Sequence, residues 1–359
     1  MKKHAFDREL VKELRELNKL DNYHGILLTA YDWLLIFASV LLSEYFLDLS
    51  SVVRLLLTCP IYVVAIVIIS SRINALYEIF HASAHYSLAN NVYLNYVLGT
   101  LFAGWAIFDS WTGYHKSHVV LHHNNLGELE NDPDYQGMVD AGLYRKGIKS
   151  KDITKFLWTI PSPIRSFEYM KYLLKNKILP IYETNSERML RILYWSSITF
   201  LFWKYESVNL LIIYWVIPYF TIAAWIADLL EFTEHYPLLK IYDEDIKMSW
   251  NRKLNILESF FLGNHNEDFH LVHHLWPRIP NWNLAKAHEI MMKDKEYNKF
   301  HNLPRGLFYL IEKIKQLTDS HEFFEDDNGK KLETMENNDE SLIVQEHITK
   351  KIQPISPDN

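Results

Sequence analysis

Leu55–Ser70 reads LLLTCPIYVVAIVIIS, sixteen residues without a single charge. A bilayer core takes about 20 apolar residues per helix, so this run, continued to residue 74, reads as a membrane span. Upstream, Ile26–Leu47 (ILLTAYDWLLIFASVLLSEYFL) has only Asp32 and Glu44 as charges. Downstream, Tyr93–Phe108 is uncharged, and Met189–Trp203 and Val208–Ala227 are separated only by Lys204–Ser207. A buried helix of a soluble protein accounts for one such segment but not for five. The expected fold is an all-α integral membrane protein of about four transmembrane helices, at 26–47, 55–74, 189–203 and 208–228. The short run at 93–108 is expected to be interfacial or re-entrant.

Basic residues set the orientation. The first 25 residues carry Lys2, Lys3, Arg8, Lys12, Arg15 and Lys19, and Trp111 to Arg188 holds eleven Lys or Arg. The connections at 48–54 and 204–207 hold only Arg54 and Lys204. Both termini and the long middle loop are therefore expected on the cytoplasmic side, most simply of a bacterial inner membrane. Residues 1–25 read as an amphipathic cytoplasmic helix rather than a cleavable signal. Residues 26–317 form the membrane domain with a cytoplasmic helical cap, and 318–359, rich in Glu, Asp and Asn, reads as a solvated, disordered tail.

The 359 residues include one cysteine, which excludes a disulfide framework, a Cys-based zinc module and an iron–sulfur cluster held by this chain alone. A net charge of −7 argues against nucleic acid as partner. With 11 glycines and neither of the usual phosphate-binding glycine loops, nucleotide cofactors bound that way are not expected.

Histidine is the informative residue. HASAH (His81, His85), HVVLHH (His118, His122, His123) and HLVHH (His270, His273, His274) each follow an apolar segment, and His235 ends the last one in EFTEHYP. Residues at i, i+3 and i+4 share a helix face, and neutral imidazole is the common nitrogen ligand of redox metals. Nine imidazoles exceed what one four-coordinate zinc uses. They suit two metal ions, best a di-iron pair. His24, His301, His321 and His347 read as isolated surface residues, while His115 and His265 remain ambiguous. Asp132, Asp134, Glu231, Glu234 and Glu267 stand near the boxes and could orient imidazoles. Asp268 reads equally well as an ordinary exposed acid.

These motifs, with YHKSHVVLHHNNLGELENDPDY and HNEDFHLVHHLWPRIPNWNLAKAH, resemble the membrane fatty-acid desaturase/hydroxylase superfamily over about two thirds of the chain. Asp132-Pro133-Asp134 resembles a bacterial subgroup with a DPD motif after the second box. The resemblance implies His81, His85, His118, His122, His123, His235, His270, His273 and His274 as ligands of two non-haem irons. It also implies O2 as co-substrate, a separate electron donor of ferredoxin or cytochrome type, and an apolar or lipid-linked substrate among membrane lipids. Some members place an Asn four residues before the span-end histidine; here that residue is Glu231, and Asn266, four before His270, is a second candidate. The implied reaction is O2-dependent desaturation of an aliphatic chain. Hydroxylation of a small specialised metabolite is the alternative; a zinc-dependent membrane hydrolase or a metal transporter is more remote.

Overall fold

The structure, a computed structural model, describes residues 1–46 and 50–321. The tail expected at 318–359 starts later than its composition suggests: residues 318–320 close the helix Leu307–Ser320, where Thr318 is buried, and the remainder from 322, with His347, lies outside the described residues. Helices dominate, and no strand occurs among the described residues. Helices α1 (Arg8–Glu16), α2 (His24–Phe46) and α3 (Val52–Ala84) come first. They are followed by α4 (Val92–Gly104), α5 (Asn185–Lys204) and α6 (Val208–Ile241). Last come α7 (His270–Leu275), α8 (Asn281–Met291) and α9 (Leu307–Ser320).

Three helices are long and apolar enough to cross a membrane: α2, α3 from Thr58, and α6. The helix α3 has 33 residues, about 50 Å at 1.5 Å each, against a hydrocarbon core of about 30 Å. Its last turns therefore project beyond the apolar layer, and they carry Glu78, His81 and, at the C-cap, His85. Trp33 of α2 stacks on Trp215 of α6 (5.5 Å between centroids) and ties the outer helices together. The polar intrusion in α2 is satisfied internally. Asp32, fully buried, pairs with Arg72 of α3 at 3.2 Å, and Arg72 also bonds the Phe260 carbonyl.

The expected span at 189–203 falls on α5. Its 20 residues start with Glu187, Arg188 and Arg191 and end at Lys204, so its apolar run is shorter than in the other three. Glu187 is buried and accepts from Trp105 Nε1 (2.9 Å), Ser110 Oγ (3.0 Å), the backbone of Trp111 (2.6 Å) and Thr112 (2.8 Å), and Thr112 Oγ1 (2.5 Å). One carboxylate thus fastens the start of α5 to the end of α4 and to the turn that opens the second histidine box.

A polar-sided cap closes one end of the bundle. Leu10, Leu14 and Leu17 pack with Leu271, Val272, Leu284 and Met291, which seats α1 against α7 and α8. His301, expected at the surface, is instead buried here, its Nε2 donating to the Ile246 carbonyl at 2.7 Å. His24 is partly covered by stacking on Trp282, and His321 is partly covered at the end of α9.

Candidate metal centre

Each histidine box reaches the capped end by a different local device. His81 and His85 lie one turn apart at the end of α3. The second box opens at Ser110, which caps Trp111–Tyr114 and leads into a π-helix, His115–His122. There the His123 amide bonds the His118 carbonyl at i→i+5, and the wider turn brings His123 round beside His118. In an α-helix five residues overshoot a turn by about 140°, which would separate the two rings. The third box follows three consecutive residues at positive φ, Asn264 (21°), His265 (60°) and Asn266 (68°). That turn is costly for a histidine, and His265 Nε2 is held at 2.7 Å by Asp32.

The nine imidazoles converge into two groups. His81, His85, His118, His123 and His273 place their ligand nitrogens within 4.8 Å of one another, as do His122, His235 and His274. His270 joins the second group, its Nε2 3.2 Å from that of His235 and 3.1 Å from that of His274. In the first group the Nε2 separations are 3.1 Å (His81–His118), 3.2 Å (His118–His123) and 3.3 Å (His123–His273). Two nitrogens about 2.1 Å from a shared ion stand about 3.0 Å apart at a right angle and about 3.4 Å apart at the tetrahedral angle. The observed separations match the edges of such coordination polyhedra. Nε2 of His85 and of His122 is buried without a hydrogen-bond partner, a costly condition that a metal bond relieves. The donor set could hold two metal ions.

Five of the opposite ring nitrogens are fixed from behind. Nδ1 of His122 meets Asp132 at 2.7 Å, that of His118 meets Asp134 at 3.2 Å, and that of His270 meets Glu267 at 3.0 Å. Nδ1 of His81 meets Glu78 at 3.1 Å, and that of His235 donates to the Met248 carbonyl at 3.0 Å. Each contact selects the tautomer that presents Nε2 as a free lone pair. Burial, then the neighbouring imidazoles, hold His85, His118, His123, His270, His273 and His274 well below the ordinary histidine pKa. Burial thus favours the neutral form that a metal needs on these six rings. Burial opposes charge on His122 too, but Asp132 and Asp134 override it and push the ring up to about 9. Those carboxylates favour a metal cation in the proton's place equally well.

The structure brings Asp132, Asp134 and Glu267 to imidazoles, but not every candidate. Asn266 turns away and donates to the Asn281 carbonyl at 3.1 Å, because its left-handed backbone directs the side chain toward α8. Glu231 touches no imidazole; it accepts from Tyr169 at 3.3 Å. Glu234 pairs with Arg252 at 2.9 Å and stands 3.7 Å from His270 Nε2, facing the centre itself. Asp268 is buried rather than exposed. His115 stacks on Trp111 and bonds the Ala84 carbonyl, and His265 serves the Asp32 network, so neither joins the two groups. Glu78 escaped the sequence reading, although its place three residues before His81 on one helix was a usable signal.

Beside the imidazoles lies a cavity of about 730 Å³. Its wall includes His81, His118, His122, His235 and His270, together with Ile107, Lys177 and Glu231.

An apolar helical bundle capped by an imidazole-rich, carboxylate-backed double site defines a membrane-bound metal-dependent class. The chain belongs to the fatty acid desaturase family, whose profile matches residues 57–305, and it is an oxidoreductase. Among curated relatives, the dihydrorhizobitoxine desaturase of Bradyrhizobium elkanii is 32% identical over 311 residues, covering 84% of this chain and 85% of that protein. A chloroplastic omega-3 fatty acid desaturase of Ricinus communis is 25% identical over 244 residues, 60% of this chain and 50% of its own length. A sn-1 acyl-lipid omega-3 desaturase (ferredoxin) of Nostoc sp. (strain 36) is 24% identical over 229 residues, 60% of this chain and 63% of its own. The chain thus spans most of the first relative and about half to two thirds of the other two.

Proposed function

We propose that the two imidazole groups hold two iron ions and that the enzyme desaturates an aliphatic chain with O2. The supporting observation is the gathering of nine imidazoles into groups of five and four, seven of them with Nε2 separations of 3.1–3.3 Å. The irons supply O2 activation. The balanced reaction takes two hydrogens from adjacent carbons, and O2, two electrons and two protons leave as two waters. The electrons come from a separate donor of ferredoxin or cytochrome type, in keeping with the name of the Nostoc relative. The chain's own residues fix the imidazoles through Glu78, Asp132, Asp134 and Glu267, and the cavity holds the substrate away from bulk water. The name of the Bradyrhizobium relative supports desaturation over hydroxylation. In this reading the N-terminus and the centre face the cytoplasm, most simply across a bacterial inner membrane; the distribution of basic residues supports that orientation.

The test is metal analysis of anaerobically purified protein, with His273→Ala from one group and His122→Ala from the other. About two irons per chain, falling to about one or none in either variant, is the expected result. One zinc, no iron and O2-independent turnover would instead establish a hydrolase. Product mass spectrometry adds the reaction type, since desaturation removes two hydrogens and hydroxylation adds one oxygen.

A further inference from the structure

Nine carboxylate and four cationic side chains line the cavity beside the imidazoles. Arg165, on its wall, is neutralised by two bonds to Asp228 at 2.8 and 2.7 Å. Lys171 and Lys175 stand exposed at its edge. Lys177 differs. Its side chain is only 12% exposed, and its Nζ lies over the rings of Tyr77 (4.7 Å) and Tyr114 (5.0 Å). Its hydrogen bond among the described residues goes to the Tyr77 hydroxyl at 2.9 Å. The nearest carboxylate oxygen, Asp109 Oδ2, is 4.0 Å away, and the other oxygen of Asp109 accepts from the Ser110 amide. An ammonium has three donors, and a buried one left short of partners is costly. The two remaining donors are free for an acceptor oxygen brought into the cavity, in competition with the Asp109 and Glu231 carboxylates on the same wall.

We propose that Lys177 receives a carboxylate-type group of the substrate, which makes that substrate a compact acid rather than an acyl chain esterified in a lipid. This rests on the di-iron reading of the adjacent centre. Tyr114 stacks on His118 with centroids 4.8 Å apart, and Lys177 Nζ is 5.0 Å from the Tyr114 centroid, so the anchor is within about 10 Å of the His118 ring. With its carboxylate on Lys177, the substrate presents to the centre a carbon only a handful of bonds away. Ile73, Ile107, Ala223 and Ala227 on the same wall suit the short methylene run. An ester has no anionic oxygen to offer Lys177. A long free acid has one, and the experiment separates it from a short acid.

The probes are sodium hexanoate, hexanamide and sodium oleate, titrated calorimetrically into anaerobic, metal-loaded enzyme in detergent. Wild type, Lys177→Met and Lys177→Arg are compared, with iron content measured for each. Hexanoate is expected to bind about tenfold or more tightly than hexanamide, the scale of a charge-assisted pair. Lys177→Met should erase that difference at unchanged iron content, and Lys177→Arg should keep most of it. Equal binding of acid and amide, no saturable hexanoate binding, or indifference to Lys177→Met overturns the proposal. Oleate binding that depends on Lys177 as strongly as hexanoate binding overturns its compact-substrate half. Wild-type protein without iron would refute the reading of the centre alone, because hexanoate binding would still report on Lys177.

Discussion

Glu187 is fully occupied as an acceptor, with five donors from Trp105, Ser110, Trp111 and Thr112 around one carboxylate. Replacement by Gln leaves one oxygen and puts an NH2 among donors. The buried backbone groups then lose their acceptor, at about 2 kcal/mol or more. Glu187→Gln should therefore lower the melting temperature by several degrees and, because the anchored turn opens the second box, reduce metal bound per chain. Thermal unfolding and metal analysis in detergent check this. A Gln variant as stable and as metal-loaded as wild type would mean that the knot is incidental. Nothing in the neighbourhood of Glu187 in the sequence announces this role, because its partners lie 75 to 82 residues upstream. His301 is the opposite lesson. A solitary histidine reads as surface, yet it is buried because a backbone carbonyl, that of Ile246, waits for it.

The second and third boxes show why the histidines were legible at all. HLVHH sits on α7, where i, i+3 and i+4 share a face; HVVLHH carries one more residue, and its π turn absorbs it. Five residues of π-helix return to about the position that four reach in an α-helix, so both boxes present the same three-ring fan. Spacing therefore revealed which histidines act together, while the winding that unites His118 with His123 left no mark in residue identity. The left-handed turn at 264–266 left only a weak mark, two asparagines after Gly263. Apolar runs located the long helices, but α3 continues ten residues past the expected end at 74 because Leu76, Ile79 and Phe80 still find a core to bury in. The π winding of the second box predicts unequal responses to equal deletions. Removing Val120 converts the second box to the third box's spacing and should keep close to two metals per chain. Removing Val272 throws His273 about 200° from His270 and should cost at least one. Equal losses in the two variants would sink the account.

At the scale of the whole molecule, connectivity counts the crossings better than apolarity does. Helix α1 packs on α7 and α8, so the N-terminus shares a side with the imidazoles. From there α2 leads away and α3 returns, delivering His81 and His85 to that side. The α4 region stays with it, since Trp105 and Trp111 meet Glu187 at the start of α5. Helix α6 ends its course at the centre, with His235 near its end, so its start at Val208 lies at the far face. Only α5 can carry the chain there. Its 20 residues give about 30 Å of helix, the thickness of the hydrocarbon core, with its charged residues gathered at the two ends. Charge at its ends agrees: eleven basic residues lie between Trp111 and Arg188, against Lys204 alone at the α5–α6 turn. Four crossings with a far-side α5–α6 turn are the expected topology. Tyr205, 70% exposed in that turn, and Glu130, exposed beyond the second box, offer paired sites for cysteine in a Cys59→Ser background. In intact cells an impermeant maleimide should label Tyr205→Cys at once and Glu130→Cys only after lysis. Protection of both sites until lysis would mean that α5 and α6 form a hairpin that never traverses, and early labelling of Glu130→Cys would place the imidazoles outside, beyond the reach of a cytoplasmic electron donor.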